Sequence, residues 1–255
     1  MKILINGVGG HMGAEVARLV LQGARDAVPA GGIDPAGCDI PGMICYKSFA
    51  EAAAAGAYAG ADCLIDFSHH SCTNDLLQFA VTYELPLVLA TTGQTEEEKA
   101  AIRTASEQIP LFFAANYSLG IALLTELAKT AAAMMPDAEI EIVEKHHDRK
   151  LDAPSGTALS LARAIKEVRP AATFHPGRCG MEKRTPEEIG IHAIRMGNIV
   201  GEHEVIIGTA TQTITLKHEA HSRALFAEGA LAAAEFLMGR PAGLYDMNAL
   251  IKGEE

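Results

Sequence analysis

The densest chemistry in the chain lies between Glu144 and Thr157. Here Glu144-Lys145-His146-His147 is followed by Lys150, Asp152 and Pro154-Ser155-Gly156-Thr157. His146 can give or take a proton near neutral pH, and Lys150 and His147 bring positive charge to the same loop. Pro154 can occupy an early helical position, and Asp152 or Ser155 can cap the helix that follows. That leaves the N–H groups of Gly156 and Thr157 turned outward. A helix N-terminus flanked by two cations suits a carboxylate. Each histidine alone reads as a structural residue; two histidines, a lysine and a helix start on one loop favour function. No metal site is expected, because adjacent His146 and His147 are poorly placed to hold one ion and no other ligand stands at regular spacing. The same holds for His69-His70.

A second set of residues is built to hold a dinucleotide. Ile3-Leu4-Ile5-Asn6 runs straight into Gly7-Val8-Gly9-Gly10-His11-Met12-Gly13, and helical periodicity follows. Glycines let the strand turn tightly, let backbone approach a pyrophosphate and let the helix pack close to the sheet. The pyrophosphate then rests on free N–H groups at the helix start. The spacing departs from strict GxGxxG, since Met12 holds the sixth place and Gly13 comes one residue later. About twenty residues further on, a second strand ends at Asp34, a carboxylate able to bond ribose hydroxyls. Pro35 follows it, where an arginine would have paired with a 2′-phosphate. NADH is therefore expected to serve at least as well as NADPH. Ala90-Thr91-Thr92 and Ala114-Ala115-Asn116-Tyr117 each follow a strand directly, where ligands bind in doubly wound sheets.

The elements that position these residues read as an α/β chain in two parts. Short apolar runs at Lys2–Asn6, Ala27–Ile33, Cys63–Phe67, Leu85–Ala90 and Leu111–Ala114 alternate with helices at Met12–Gln22, Cys72–Tyr83 and Glu96–Gln108. That is a Rossmann-type parallel sheet covered by helices. After Asn116 the character changes. A long helix, Leu119–Met135, stops at Pro136; a half-exposed strand at Glu139–Glu144 precedes a helix at Gly156–Lys166. Strands at Ile189–Arg195, Glu202–Gly208 and Gln212–Lys217 suggest an open mixed sheet. A helix at Ser222–Met238 and a short tail close the chain. The second half thus reads as an α+β domain.

Composition bounds the function. The 255 residues carry a formal net charge of −11, which argues against a general nucleic-acid binder. No apolar stretch is long enough to span a bilayer and none resembles a secretory leader. The five cysteines are odd in number and lack CxxC spacing; five free thiols in a reducing, cytoplasmic setting are expected. On these residues, two other readings share the first half: another nicotinamide-dependent amino-acid dehydrogenase, and a non-enzymatic NADH-binding sensor. Neither requires a His-His-Lys loop.

The stretch from Glu144 to Thr157, with its pattern E-x-H-H-x-x-K-x-D-x-P-S-G-T, resembles the signature of the 4-hydroxy-tetrahydrodipicolinate reductase family of lysine biosynthesis. The glycine turn, the Thr-Thr-Gly loop, Ala114-Ala115-Asn116, the run Arg195–His203 and the ending Gly243–Met247 fall in the family's order. The resemblance implies an NAD(P)H-dependent enzyme with His146 as catalytic acid/base and Lys150 as proton donor. It implies substrate contacts from His147, Ser155, Gly156 and Thr157, with a small cyclic dicarboxylate as substrate. Cofactor contacts are implied from Gly7, Val8, Gly9, Gly10, His11, Met12, Asp34, Ala90, Thr91, Thr92, Ala114, Ala115, Asn116 and Tyr117. It further implies a homotetramer, a nucleotide domain of residues 1–117 and 223–255, and a substrate and interface domain of 118–222. His11 stands where many members carry an arginine, and Ala90 where glycine is common; both alter the surroundings of the cofactor phosphates.

Overall fold

The structure is a computed structural model that describes residues 1–253. The chain divides into two compact units, Met1–Ser118 with the chain from Ala224 onward, and Leu119–Arg223.

In the first unit, β1 (Lys2–Asn6), β2 (Val28–Ile33), β3 (Cys45–Tyr46), β4 (Cys63–Asp66), β5 (Leu87–Leu89) and β6 (Pro110–Phe113) alternate with helices. These are α1 (His11–Leu21), α2 (Phe49–Ala54), α3 (Thr73–Thr82) and α4 (Glu96–Ser106). The strands are continuous apolar runs because helices cover both faces of a parallel sheet; Ile3, Leu4, Ile5, Leu64 and Ile65 are fully buried. Each such side chain contributes about 1.5–3 kcal/mol by leaving water. Helix α4 begins with a capping box between Thr95 and Glu98 under an acidic first turn, which satisfies orphan N–H groups and suits the helix dipole.

The second unit holds α5 (Leu119–Met134), β7 (Glu139–His146), α6 (Gly156–Val168), β8 (Thr173–Pro176), β9 (Glu188–Arg195), β10 (Gly201–Gly208) and β11 (Thr213–Ala220). Its sheet runs β11-β10-β7-β9-β8. β10 is antiparallel to β11 and β7, whereas β7, β9 and β8 run parallel, so the sheet is mixed. Ile140, Ile142, Val205, Ile207, Ile189 and Ile191 form its buried face, packed on α5 and α6. The chain then returns to the first unit as α7 (Ala224–Leu237), β12 (Gly243–Tyr245) and α8 (Met247–Lys252). The first sheet, β12-β6-β5-β4-β1-β2-β3, is parallel throughout.

Several details depart from the reading of the sequence. The segment after Met238 is no simple tail: β12 pairs with β6, and Asp246 caps α8. β7 continues past Glu144 to His146, because the alternation persists while the buried positions change from isoleucine to ionisable residues. Pro154 lies before α6, after a cis peptide bond, and Ser155 is the N-cap. Cys38 and Cys45 form a disulfide, their Cα atoms 5.9 Å apart. The expectation of five free thiols is thereby corrected; Cys63, Cys72 and Cys179 are free. Spacing rules for metal and redox motifs do not register two cysteines brought together by a loop that doubles back onto β2.

Candidate active site

The glycine turn lies where the strand order reverses, between β1 and β4 at their carboxyl ends, the usual ligand crevice of such sheets. Gly7 has φ +77°, and a Cβ there would meet the carbonyl oxygen of Phe67 at 2.7 Å. A Cβ on Gly13 would stand 2.0 Å from the Gly7 carbonyl oxygen. The displaced third glycine therefore serves the close helix–strand packing. A Cβ on Gly9 would meet the Asp34 carboxylate at 2.8 Å, and the Gly9 N–H donates to that carboxylate at 2.9 Å. Gly10 opens α1 with no side-chain cap. This is a cradle that fits a dinucleotide: side chains are excluded along it, a carboxylate stands at the next strand end, and the helix start faces it uncapped.

Two pockets adjoin the turn. One, about 430 Å³, is lined by Asn6, Gly7, Gly10, Asp34, Pro35 and Lys47, among others. The second, about 400 Å³, is lined by His11, Met12, Ala90, Thr91 and Thr92, with Phe67, Ser68 and His69 common to both. Beneath them, buried Asp66 accepts hydrogen bonds from Asn6 Nδ2 (2.7 Å), Ser68 Oγ (2.6 Å) and Thr91 Oγ1 (3.2 Å), tying the ends of β1, β4 and β5 together. Burial pushes the Asp66 carboxyl up, opposed by these bonds. Other residues expected at the cofactor stand differently. Val8 is fully buried and packs over Gly32, with its N–H donated to the Ile33 carbonyl at 3.3 Å. Tyr117 is 3% exposed, and its hydroxyl donates to the carbonyls of Leu89 (2.8 Å) and Phe112 (3.2 Å). Its ring is a lock within the core. Ala114, Ala115 and Asn116 follow β6 and line neither pocket.

In the second unit, the buried face of the sheet ends in charge. Glu144 pairs in register with His203 on β10, and His146 with Arg195 on β9. Glu144 is fully buried. Its Oε2 lies 2.5 Å from His146 Nδ1, and Arg195 grips both oxygens with Nη1 at 2.8 Å and Nη2 at 2.7 Å. The Ser155 N–H donates to Oε1 at 2.9 Å. Burial alone would raise the carboxyl, but the bonds from His146, Arg195 and Ser155 bring it down to about 2. Glu144 is thus an anion at any working pH, and Arg195 is correspondingly raised by its bonds to Glu144.

Around this anion the other predicted residues gather. The Ser155 hydroxyl accepts from the Ala158 N–H and lies 3.2 Å from His203 Nε2, so it is occupied within the protein. His203 is 4% exposed; burial and the neighbouring His146 bring it down to about 4, so its ring is neutral. The rings of His146 and His203 meet edge to face at 5.2 Å. His147 is held by its backbone N–H on the Ile199 carbonyl, and desolvation, with nearby Arg149 and Arg223, lowers its pKa and favours the neutral ring. Lys150 Nζ stands 2.8 Å from Asp152. Lys150 lowers the Asp152 carboxyl, with help from the Gly156 N–H, so that carboxylate lies at the start of α6.

Glu144, Arg195 and His203 stand within the sequence motifs, but the motifs alone assign them no role. The signal was available: Glu144 and His146 continue the odd–even alternation that puts Ile140 and Ile142 inside. A carboxylate at such a position must find cations. Among the described residues no cluster of His, Cys, Asp and Glu could hold a metal ion, and no helix is long and apolar enough to cross a membrane.

Comparison with known proteins gives matches along the chain. A family model described as "Dihydrodipicolinate reductase, N-terminus" matches residues 1–117, and one described as "Dihydrodipicolinate reductase, C-terminus" matches residues 120–251. A 4-hydroxy-tetrahydrodipicolinate reductase of Caldanaerobacter subterraneus subsp. tengcongensis is 44% identical over 256 aligned positions, 99% of this chain and 98% of that protein. A protein of the same name from Clostridium novyi is 40% identical over 255 positions, 99% of each chain. Among solved structures, a dipicolinate-bound dihydrodipicolinate reductase from Paenisporosarcina sp. TG-14 superposes with a TM-score of 0.79 at 24% identity, covering 96% of this chain and 97% of that one. That last likeness is one of fold.

Proposed function

The chain belongs to the dihydrodipicolinate reductase family, and on that premise we propose how it works. It is an NAD(P)H-dependent oxidoreductase that reduces 4-hydroxy-tetrahydrodipicolinate to tetrahydrodipicolinate in the diaminopimelate route of lysine biosynthesis. The substrate loses its hydroxyl as water to give a cyclic unsaturated imine dicarboxylate. One hydride and one proton then add to it, leaving NAD(P)⁺. Gly7–Met12, Asp34 and the Ala90–Thr92 loop would hold a reduced nicotinamide dinucleotide, which would supply the hydride.

The chain's own residues supply the rest. Glu144, ionised and clamped by Arg195, accepts the Nδ1 proton of His146 in a hydrogen bond, which leaves Nε2, beside Gly201, as the proton-exchanging nitrogen. His146 and Lys150 provide the proton that must reach the reduced ring, and acid help of this type is worth about 10²–10⁴ in rate. His147 and the N–H groups of Gly156 and Thr157 hold the carboxylates. The observation that carries this reading is the 2.5 Å Glu144–His146 contact at the end of β7, directly before the loop that bears Lys150. The coupled assay is decisive: NADH oxidation started by product of a dihydrodipicolinate synthase reaction. His146→Ala and Lys150→Ala should keep NADH affinity and lose most of kcat; near-normal turnover by both disposes of the assignment.

Asp34 followed by Pro35 supports NADH being used at least as well as NADPH, and a strong kinetic preference for NADPH would overturn that. We place the enzyme in the cytoplasm as a homotetramer assembled through Leu119–Arg223; a monomer in light scattering refutes the latter.

A further inference from the structure

The register of β2 and β3 puts a cation beside Asp34 that its neighbours in sequence do not provide. Gly32 pairs with Cys45 and Ile33 with Tyr46 in parallel register, and the Asp34 N–H continues the ladder to the Tyr46 carbonyl at 2.9 Å. The next residues on the two strands are Asp34 and Lys47, so both leave the carboxyl end of the sheet side by side. Parallel neighbours lie about 4.8 Å apart. Lys47 and Asp34 line the same pocket. The lysine stem also runs over the turn after Asp34, since a Cβ on Gly37 would stand 3.7 Å from Lys47 Cε.

The two side chains are engaged differently. Asp34 is held by the N–H groups of Gly9 (2.9 Å) and Ala36 (3.0 Å), an arrangement that presents its carboxylate to the ribose hydroxyls. The Lys47 ammonium has no carboxylate in ion-pair contact among the described residues, so its charge is uncommitted. Its backbone N–H donates to Glu51 at 2.7 Å, which fixes the root of the side chain. Asp75, His69 and the free thiol of Cys72 are the other titratable groups lining this pocket, so Lys47 is the permanent cation among its lining residues.

We propose that Lys47 is the residue that receives the 2′-phosphate of NADPH, offsetting the repulsion from Asp34 and allowing this chain to take either cofactor. This rests on the dinucleotide reading of the glycine turn and deepens it. Arginine directly after the acidic residue is the familiar source of such a cation; here Pro35 occupies that place and the cation comes from the adjoining strand.

Equilibrium binding tests this, read by the fluorescence of the reduced nicotinamide and, in calorimetry, with 2′,5′-ADP and 5′-ADP as probes. Lys47→Ala should weaken NADPH and 2′,5′-ADP about fivefold, as an exposed charge-assisted contact does, and move NADH and 5′-ADP less than twofold. Added salt should shrink the difference, and Lys47→Arg should restore NADPH. Equal weakening of both cofactors, or NADPH affinity indifferent to Lys47→Ala, overturns the proposal. Failure of the unaltered protein to bind NADH or NADPH overturns instead the dinucleotide reading beneath it.

Discussion

Glu144 Oε2 and His146 Nδ1 stand 2.5 Å apart on one face of β7, two positions beyond the last isoleucine of the core. Residues two apart on a strand share a face, so the sequence spacing E-x-H builds an acid–imidazole pair directly into the sheet. The bidentate Arg195 grip and the Ser155 N–H occupy the carboxylate's other sites. The pair is rigid for that reason.

Glu144→Gln keeps the size of the side chain and removes its charge. The amide holds Nδ1 poorly and leaves Arg195 without its counterion. The expected result is a kcat loss of about 10² with NADH affinity unchanged, together with lower stability, since breaking a buried pair costs about 3–5 kcal/mol. Wild-type turnover in Glu144→Gln would remove Glu144 from the mechanism.

The buried His203 makes the fold acid-sensitive. Its value of about 4 lies below the ordinary 6.5, so the unfolded chain binds this proton more readily than the folded one as pH falls. Stability is full above about 6.5 and is lost progressively toward pH 4. Glu144, brought down from 4.5 to about 2, continues the loss below pH 4.5, in the same direction. His203→Gln can retain a bond to Ser155 without titrating. Chemical denaturation from pH 7.5 to 4 should show a shallower loss for His203→Gln, by about one proton in the linkage slope. Parallel curves for the two proteins would contradict a neutral buried ring.

The reach of the sequence follows from what patterns record. Apolar runs and turn residues announce β1, β2 and β4 to β6, and a parallel sheet beside a mixed one, because periodicity reports burial directly. The loop from His146 to Thr157 was legible because its residue types are chemically costly to gather without purpose. Glu144 and His203 were harder, since burial of a charge depends on partners far along the chain, here Arg195. Strands β3 and β12 are too short to show a period. Lys47 was invisible beside Asp34 for that reason: only the β2–β3 register brings them together.

Gly13 provides a test of the cradle independent of chemistry. A Cβ there would stand 2.0 Å from the Gly7 carbonyl oxygen, a backbone atom that cannot swing away. Gly13→Ala should force α1 off β1, with a stability loss of about 1–3 kcal/mol as for other overpacked sites and NADH affinity reduced at least tenfold. Unaltered NADH binding by Gly13→Ala would show that the turn does not hold the pyrophosphate.

The Lys150–Asp152 contact sets an expectation for inhibitors. Asp152 places a carboxylate 2.8 Å from Lys150 Nζ and is stabilised by the Gly156 N–H. These are two of the groups assigned above to the substrate, so the side chain competes with it. Asp152 is more than half exposed, and such a contact is worth at most about 1 kcal/mol, which a dianionic ligand can displace. A planar dicarboxylate such as pyridine-2,6-dicarboxylate should therefore compete with substrate and bind a few-fold tighter to Asp152→Asn. Lys150→Ala should abolish most of that binding and remove the advantage of the Asn variant. Calorimetric titration of the three proteins reads this directly. Weaker binding to Asp152→Asn would mean that Asp152 orients Lys150 for the ligand and does not stand in its place.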